Sequence, residues 1–226
     1  YRPHLYQYAY NKLPQQIILG SETASTVSSR GVYKFPVTRQ SMKKYDDHQS
    51  SSYDVEHCGW SNLPEDDWLW HNDKSWAIGE FVWTGFDYLG EPTPYYTDWP
   101  SHSSLFGIVD LAGFPKDIYY MYQSQWTDKD VLHLFPHWNW EEGQTVDMWA
   151  YYNNADEAEL FINGVSQGIR RKLPTGSHTD EWRADVDMST EFHVCWRVAY
   201  KPGVVEVVTR KDGAEVARKQ IHTAGA

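Results

Sequence analysis

The sequence predicts two domains of different class, an α/β segment over residues 1–130 and an all-β module over residues 131–226. Three observations lead there. The first part alternates continuous apolar runs with helix-like stretches, the signature of a parallel sheet whose strands are covered on both faces. From about residue 127 onward, short alternating runs separated by turns replace that pattern. The 226 residues, 41% of them hydrophobic, are enough to bury two such cores.

In chain order, Gln16-Ile17-Ile18-Leu19-Gly20 is β-branched, apolar and closed by glycine, as a strand buried on both faces should be. A polar stretch from Thr38 to Glu65 precedes Asp66 to Trp76, whose acidic opening suits the positive end of a helix dipole. Ala77 to Tyr88 is a second buried run. Lys116 to Gln125 follows Pro115 and repeats Tyr119, Tyr122 and Trp126 at helical spacing, giving a second helix. The boundary falls between about residues 127 and 136. Beyond it, Thr145 to Tyr152, Ala158 to Ile162, Phe192 to Tyr200, Val204 to Lys211 and Ala214 to His222 read as strands. Asn163-Gly164 and Asp212-Gly213 supply turns that need two positive φ values, and Lys201-Pro202-Gly203 a third reversal. Strands at this spacing over about 90 to 100 residues predict an immunoglobulin-like β-sandwich.

Composition narrows the partners. A formal net charge of -11 repels nucleic acid and anionic membrane surfaces, and no apolar run is long enough to span a bilayer. The chain opens on Tyr1-Arg2-Pro3-His4 rather than Met or a leader, so it reads as starting inside a longer protein. Cys58 and Cys195 fall in different predicted domains and are expected to be free and buried. No Gly-rich phosphate loop and no cysteine or histidine cluster is present, so no cofactor and no metal is expected; His48 and His102 lack ligand-spaced partners. The anomaly is aromatic content, with 12 Trp, 16 Tyr and 8 Phe. Such rings stack on the C–H faces of sugars, although a ring-filled β core explains the count as well.

The chemistry-bearing candidates lie at the ends of the two apolar runs. Glu22 follows the first, where α/β barrels place catalytic groups, although a glutamate after a strand is more often a cap or a solvated loop residue. Trp83 and Asp87 close the second, where they either face one ligand or fill the interior and cap the next loop.

Gly20-Ser21-Glu22-Thr23-Ala24-Ser25, the following Ser29-Arg30-Gly31-Val32-Tyr33, and the run from Gly79-Glu80-Phe81-Val82-Trp83 through Glu91-Pro92-Thr93-Pro94-Tyr95 resemble the seventh and eighth barrel strands of glycoside hydrolase family 2 β-galactosidases. Phe106 to Asp117 resembles the closing loop and last helix of that barrel, and Leu134 to Gly168 the β-sandwich that follows it in gut-bacterial members. The resemblance implies the C-terminal portion of a (β/α)8 TIM barrel followed by an immunoglobulin-like β-sandwich, from a bacterial enzyme that is periplasmic or secreted. It implies a retaining exo-β-glycosidase acting on terminal β-galactosides, with Glu22 as nucleophile and Trp83 lining the sugar subsite. Asp87 and Glu91 are nearby substrate-binding candidates. The second carboxyl of such a mechanism sits about 5–5.5 Å from the nucleophile and needs a raised pKa.

Two departures bear on the sugar. Ser25 stands where enterobacterial-type relatives have histidine, and Phe106 where they have asparagine. The family's acid/base glutamate follows an asparagine, and no Asn-Glu pair occurs in this sequence. A whole barrel takes about 250 residues, roughly twice what precedes the sandwich. The isolated chain is therefore expected to be inactive, with the missing N-terminal part of the same enzyme as its partner. A homo-oligomer is a second way to cover the open edges of a partial barrel. The alternatives are a carbohydrate-binding or structural accessory module using Trp138, Trp140, Trp149 and Trp182, or a β-glucuronidase or β-mannosidase of the same family. For a glucuronidase, Arg30 and Lys34 are the cations in range, Arg30 reading more readily as a clamp on the loop after Glu22.

Overall fold

A computed structural model of the chain describes residues 1–176 and 188–225. They form two compact units, Tyr1–Ile118 and Tyr119–Ala226, so the division falls earlier than the expected 130/131 boundary.

In the first unit, a 3-10 turn at Pro3–Leu5 leads into α1 (Tyr6–Lys12), then β1 (Ile18–Ala24), the two-residue strands β2 (Gln40–Ser41) and β3 (Glu56–His57), α2 (Pro64–His71) and β4 (Ala77–Trp83). β1 pairs with β4 in parallel, with Ala24 opposite Trp83, and β2 pairs with β3 in parallel. The helix expected from Asp66 starts at Pro64, because proline needs no hydrogen-bond acceptor in the first turn, and Glu65, Asp66 and Asp67 fill that turn.

β1 differs from expectation in two ways. It runs on to Ala24, so Glu22 lies within the strand rather than beyond it. It is also not covered on both faces within the chain: Ile17 and Leu19, with Ile78 and Phe81 of the β4 stretch, are exposed. The strand expected to continue to Tyr88 stops at Trp83, and single bridges from Phe86 to Val109 and from Leu89 to Ser103 tie down the residues after it.

α3 (Asp117–Trp126) begins in the first unit and continues into the second. The described part of the second unit has seven strands: β5 (Leu132–Phe135), β6 (Thr145–Tyr152), β7 (Glu157–Ile162), β8 (Val165–Arg170), β9 (His193–Ala199), β10 (Val204–Lys211) and β11 (Ala214–His222). They make one sheet in the order β5-β6-β9 and another in the order β11-β10-β7-β8, antiparallel throughout. Asn163-Gly164 and Asp212-Gly213 both hold the two positive φ values their sequence called for. β6 lies between two neighbours and is buried along almost its whole length. Trp138, Trp149 and Trp196 are closed to solvent, with the Trp138 indole N–H donating to the Lys201 carbonyl (3.0 Å) and that of Trp196 to Gly168 (2.8 Å). Trp138 and Trp149 are therefore core residues and not a binding platform. Trp140 remains partly exposed, stacked on His137 at 4.3 Å, while Trp182 lies outside the described residues. Cys58 and Cys195 are both free and buried.

Candidate active site

The site forms where β1 meets β4. Ala24 and Ser25 both take left-handed backbone angles, φ 58 and 60. Each such residue that is not glycine costs on the order of 1–2 kcal/mol, so the turn persists only because its surroundings fix it. The Ala24 amide donates to Asp67 Oδ2 (2.8 Å) and its carbonyl accepts from Asn62 (3.0 Å). The Ser25 amide donates to the Trp83 carbonyl (3.1 Å), and the Ser25 carbonyl accepts from the Ser61 hydroxyl (3.1 Å). Every backbone polar group of the bend is thus engaged, and the chain turns away immediately after presenting Glu22.

The Glu22 carboxylate is exposed and accepts a hydrogen bond from the Tyr1 hydroxyl, whose oxygen also lies 2.5 Å from Ser25 Oγ. Burial first, then the bond to Glu22, raises the Tyr1 phenol far above its ordinary value, so it stays a donor. The Tyr1 ring meets Trp60 edge-on at 5.0 Å, and Trp60 lies 6.2 Å from Phe106. Phe106 in turn packs with Val27 and Cys58, with Tyr88 against that cluster.

Across from Glu22, the Trp83 indole N–H donates to the Tyr88 hydroxyl (3.3 Å) and the rings meet edge-on at 5.9 Å. Tyr88 itself donates to Glu91. Burial first, then the Glu91 hydrogen bond, pushes the Tyr88 phenol up to about 12, and the charge of Glu22 contributes in the same direction. Trp83, Tyr88 and Glu91 are thus linked by hydrogen bonds, and the charge of Glu22 is felt at Tyr88. The arrangement offers an exposed carboxylate, two phenols that remain protonated and an indole face, which is chemistry suited to a neutral polyhydroxylated ligand.

Asp87 is placed differently, and the expectation that it faces substrate is corrected. It is 9% exposed and paired with Lys116, which is 1% exposed. The Lys116 ammonium donates to Asp87 (2.9 Å), to the Ser28 carbonyl (2.7 Å) and to the Leu105 carbonyl (3.2 Å), and the Gly107 amide donates to Asp87 (2.7 Å). A carboxylate so engaged anchors the loops beneath the site. The same anchor dictates Gly107: a Cβ there would sit 2.0 Å from the Asp87 nitrogen and 2.4 Å from the Phe86 carbonyl carbon, both backbone atoms that cannot step aside. Gly107→Ala is expected to lower stability by about 1–3 kcal/mol, read as a fall in the urea midpoint at unchanged slope.

The cations considered for a substrate carboxylate are both engaged. Arg30 pairs with Asp110 at 2.5 Å and lies 4.9 Å from the Phe114 ring, while Lys34 pairs with Asp47 and lies over Tyr45. His48 sits against Tyr95 and His102 against Trp99. Among the described residues there is no group of three or more His, Cys, Asp or Glu arranged to hold a metal ion, and no helix long and apolar enough to cross a membrane.

Sequence reasoning missed Tyr1, Trp60, Tyr88, Asp67 and Glu80. Tyr88 and Glu80 stood inside a family-like motif but read as strand residues. Tyr1 had no flanking pattern to mark it. Asp67 looked like ordinary helix-start chemistry.

Residues 143–217 match a family described as a domain of unknown function (DUF4982). The chain is 49% identical over 220 residues to the β-galactosidase BoGH2A of Bacteroides ovatus, an alignment covering 94% of this chain and 24% of that protein. It is 39% identical over 160 residues to a Formosa agariphila protein carrying a provisional β-glucuronidase name, covering 70% of this chain and 14% of that protein. The crystal structure of a β-glycosidase from Bacteroides vulgatus superposes with a TM-score of 0.75 at 31% identity, covering 97% of this chain and 29% of that one. The chain thus spans about a quarter or less of the length of the curated relatives it matches. These matches place it in the class of glycoside hydrolases. It belongs to glycoside hydrolase family 2.

Proposed function

We propose that this chain is the C-terminal portion of the catalytic (β/α)8 barrel, with the immunoglobulin-like sandwich that follows it, of a retaining exo-β-glycosidase acting on terminal β-galactosides. The observation that carries the reading is the Glu22 carboxylate, exposed at the end of β1 among Tyr1, Ser25, Trp83 and Tyr88. In the proposed reaction, Glu22 attacks the anomeric carbon as the bond to the leaving oxygen breaks, and an acid supplied from outside this chain protonates that oxygen. The same acid, now a base, takes a proton from the water that displaces Glu22, so configuration is retained. Tyr1 holds one carboxylate oxygen so that the other is directed at the sugar, and Trp83 and Glu91 border the pocket. The exposed apolar residues Ile17, Leu19, Ile78 and Phe81 are surfaces that further barrel strands and helices would cover. On this reading the chain alone is inactive, and its partners are a carbohydrate and the remainder of the enzyme; the net charge of -11 speaks against nucleic acid.

Galactosides are preferred over glucuronides because Arg30 and Lys34 are both spent on internal carboxylates, leaving neither for a substrate carboxylate. A 2-fluoro galactoside offered to the assembled active enzyme is expected to leave a covalent adduct on the peptide containing Glu22. An adduct on any other residue, or turnover with no adduct while a 2-fluoro glucuronide labels the enzyme, overturns the nucleophile or the sugar respectively.

A further inference from the structure

We infer that Asp67 and Glu80 act together as an electrostatically coupled positioning pair that fixes the strand end carrying Glu22; the inference rests on the glycosidase reading only where Glu22 is called the nucleophile. The two residues after Glu22 are each held by one of these acids. Thr23, fully buried, donates from its hydroxyl to Glu80 Oε2 at 2.7 Å. Ala24, in the left-handed bend, donates from its amide to Asp67 Oδ2 at 2.8 Å. The acids come from different elements, β4 and α2, so together they clamp β1 from two sides.

Their second oxygens make the pair unusual. Asp67 Oδ1 and Glu80 Oε1 are both closed to solvent and have no hydrogen-bond partner among the described residues. Asp67 as a whole is 0% exposed. Burial first, and then the charge of Glu80, raises the Asp67 carboxyl to about 8; burial raises Glu80 to about 7, against the hydrogen bond from Thr23. The groups facing the pair offer little relief. Tyr6 of α1 is itself pushed up to about 12 by burial and then by the charges of Asp67 and Glu80. Asp66 of α2 adds like charge, and His71 is driven toward its neutral form by burial.

Two neighbouring buried carboxyls whose charges act on one another do not both ionise readily, so they titrate as a coupled pair. In that state the pair accepts from Thr23 and Ala24 while carrying at most one charge. Losing the last proton puts two like charges under the bend, which pushes α2 and β4 apart and releases the backbone that orients Glu22.

Two measurements test this. In the 226-residue chain, the Ala24 amide resonance is expected to titrate with a midpoint near neutral to mildly alkaline pH, and Asp67→Asn should abolish that titration. An Ala24 amide that is flat above the ordinary carboxylate range, or that titrates unchanged in Asp67→Asn, overturns the proposal whether or not the chain belongs to a glycosidase. In the assembled enzyme, Glu80→Gln and Asp67→Asn are expected to reduce kcat by on the order of 10- to 100-fold with KM little changed, and to shift the alkaline limb of the kcat profile. Variants whose pH profile matches the parent's show packing alone and also overturn it; if Asp67→Asn fails to fold, Glu80→Gln decides. Adduct formation at a residue other than Glu22 sinks the glycosidase reading while leaving the amide titration standing, so the two failures are separable.

Discussion

Replacing Glu22 by glutamine in the assembled active enzyme is expected to lower kcat by about 10⁴-fold or more, equivalent to about 5.5 kcal/mol of lost transition-state stabilisation. Glutamine keeps the size of the side chain and an oxygen that still accepts from the Tyr1 hydroxyl, so folding and binding should be nearly unchanged. What disappears is the anionic oxygen that forms the bond to the anomeric carbon. The matching gain-of-function result uses Glu22→Ala: azide entering the vacated space should displace the leaving group and yield a glycosyl azide of inverted configuration. A Glu22→Gln enzyme that keeps a tenth or more of the parent rate, or an alanine variant whose azide product retains configuration, would remove Glu22 from the nucleophile role.

Lys116→Met is the second large effect, and it concerns stability. The substitution leaves Asp87 buried without its cation and removes the donor from the Ser28 and Leu105 carbonyls, for an expected loss of about 3–5 kcal/mol in urea unfolding. The pH dependence has a definite sign. Burial already raises the Asp87 carboxyl despite Lys116, and without that cation the folded-state value rises further above the unfolded one. A group raised in this way adds stability that is complete below the unfolded pKa and is lost as pH rises through the folded one. The variant should therefore regain part of its deficit on acidification. Lys116→Met combined with Asp87→Leu should recover much of the loss at neutral pH, because no unpaired charge is then left inside. Equal destabilisation of the single and double variants would mean that the lysine acts through packing and not through its charge.

Much of the second unit was legible in the letters. Its strands alternate or run apolar over short spans, and Asn163-Gly164 and Asp212-Gly213 can only be placed where two successive positive φ values are wanted. In the first unit, element types were readable and their ends were not. β1 continues through Ser21, Glu22 and Thr23 because Thr23 and Ala24 find side-chain partners on β4 and α2, and those partners are remote in sequence. Asp87 shows the opposite failure. Its position after an apolar run suits a ligand contact and a buried anchor equally well, and only the approach of Lys116 from 29 residues away decides for the anchor.

The sequence by itself determined the division into an α/β part and an all-β part, the hairpin turns, and the two apolar runs that lead to Glu22 and contain Trp83. Those properties are local: they depend on backbone preferences and on periodicity within a few residues. The tertiary structure alone decided that Tyr1 and Tyr88 join the site, that Asp87 leaves it, and that Asp67 and Glu80 brace the strand beneath it. Each of these is a contact between distant segments, and whether a buried acid meets an ammonium, an amide or a second acid is set by the packing of elements, which no short stretch of chain encodes.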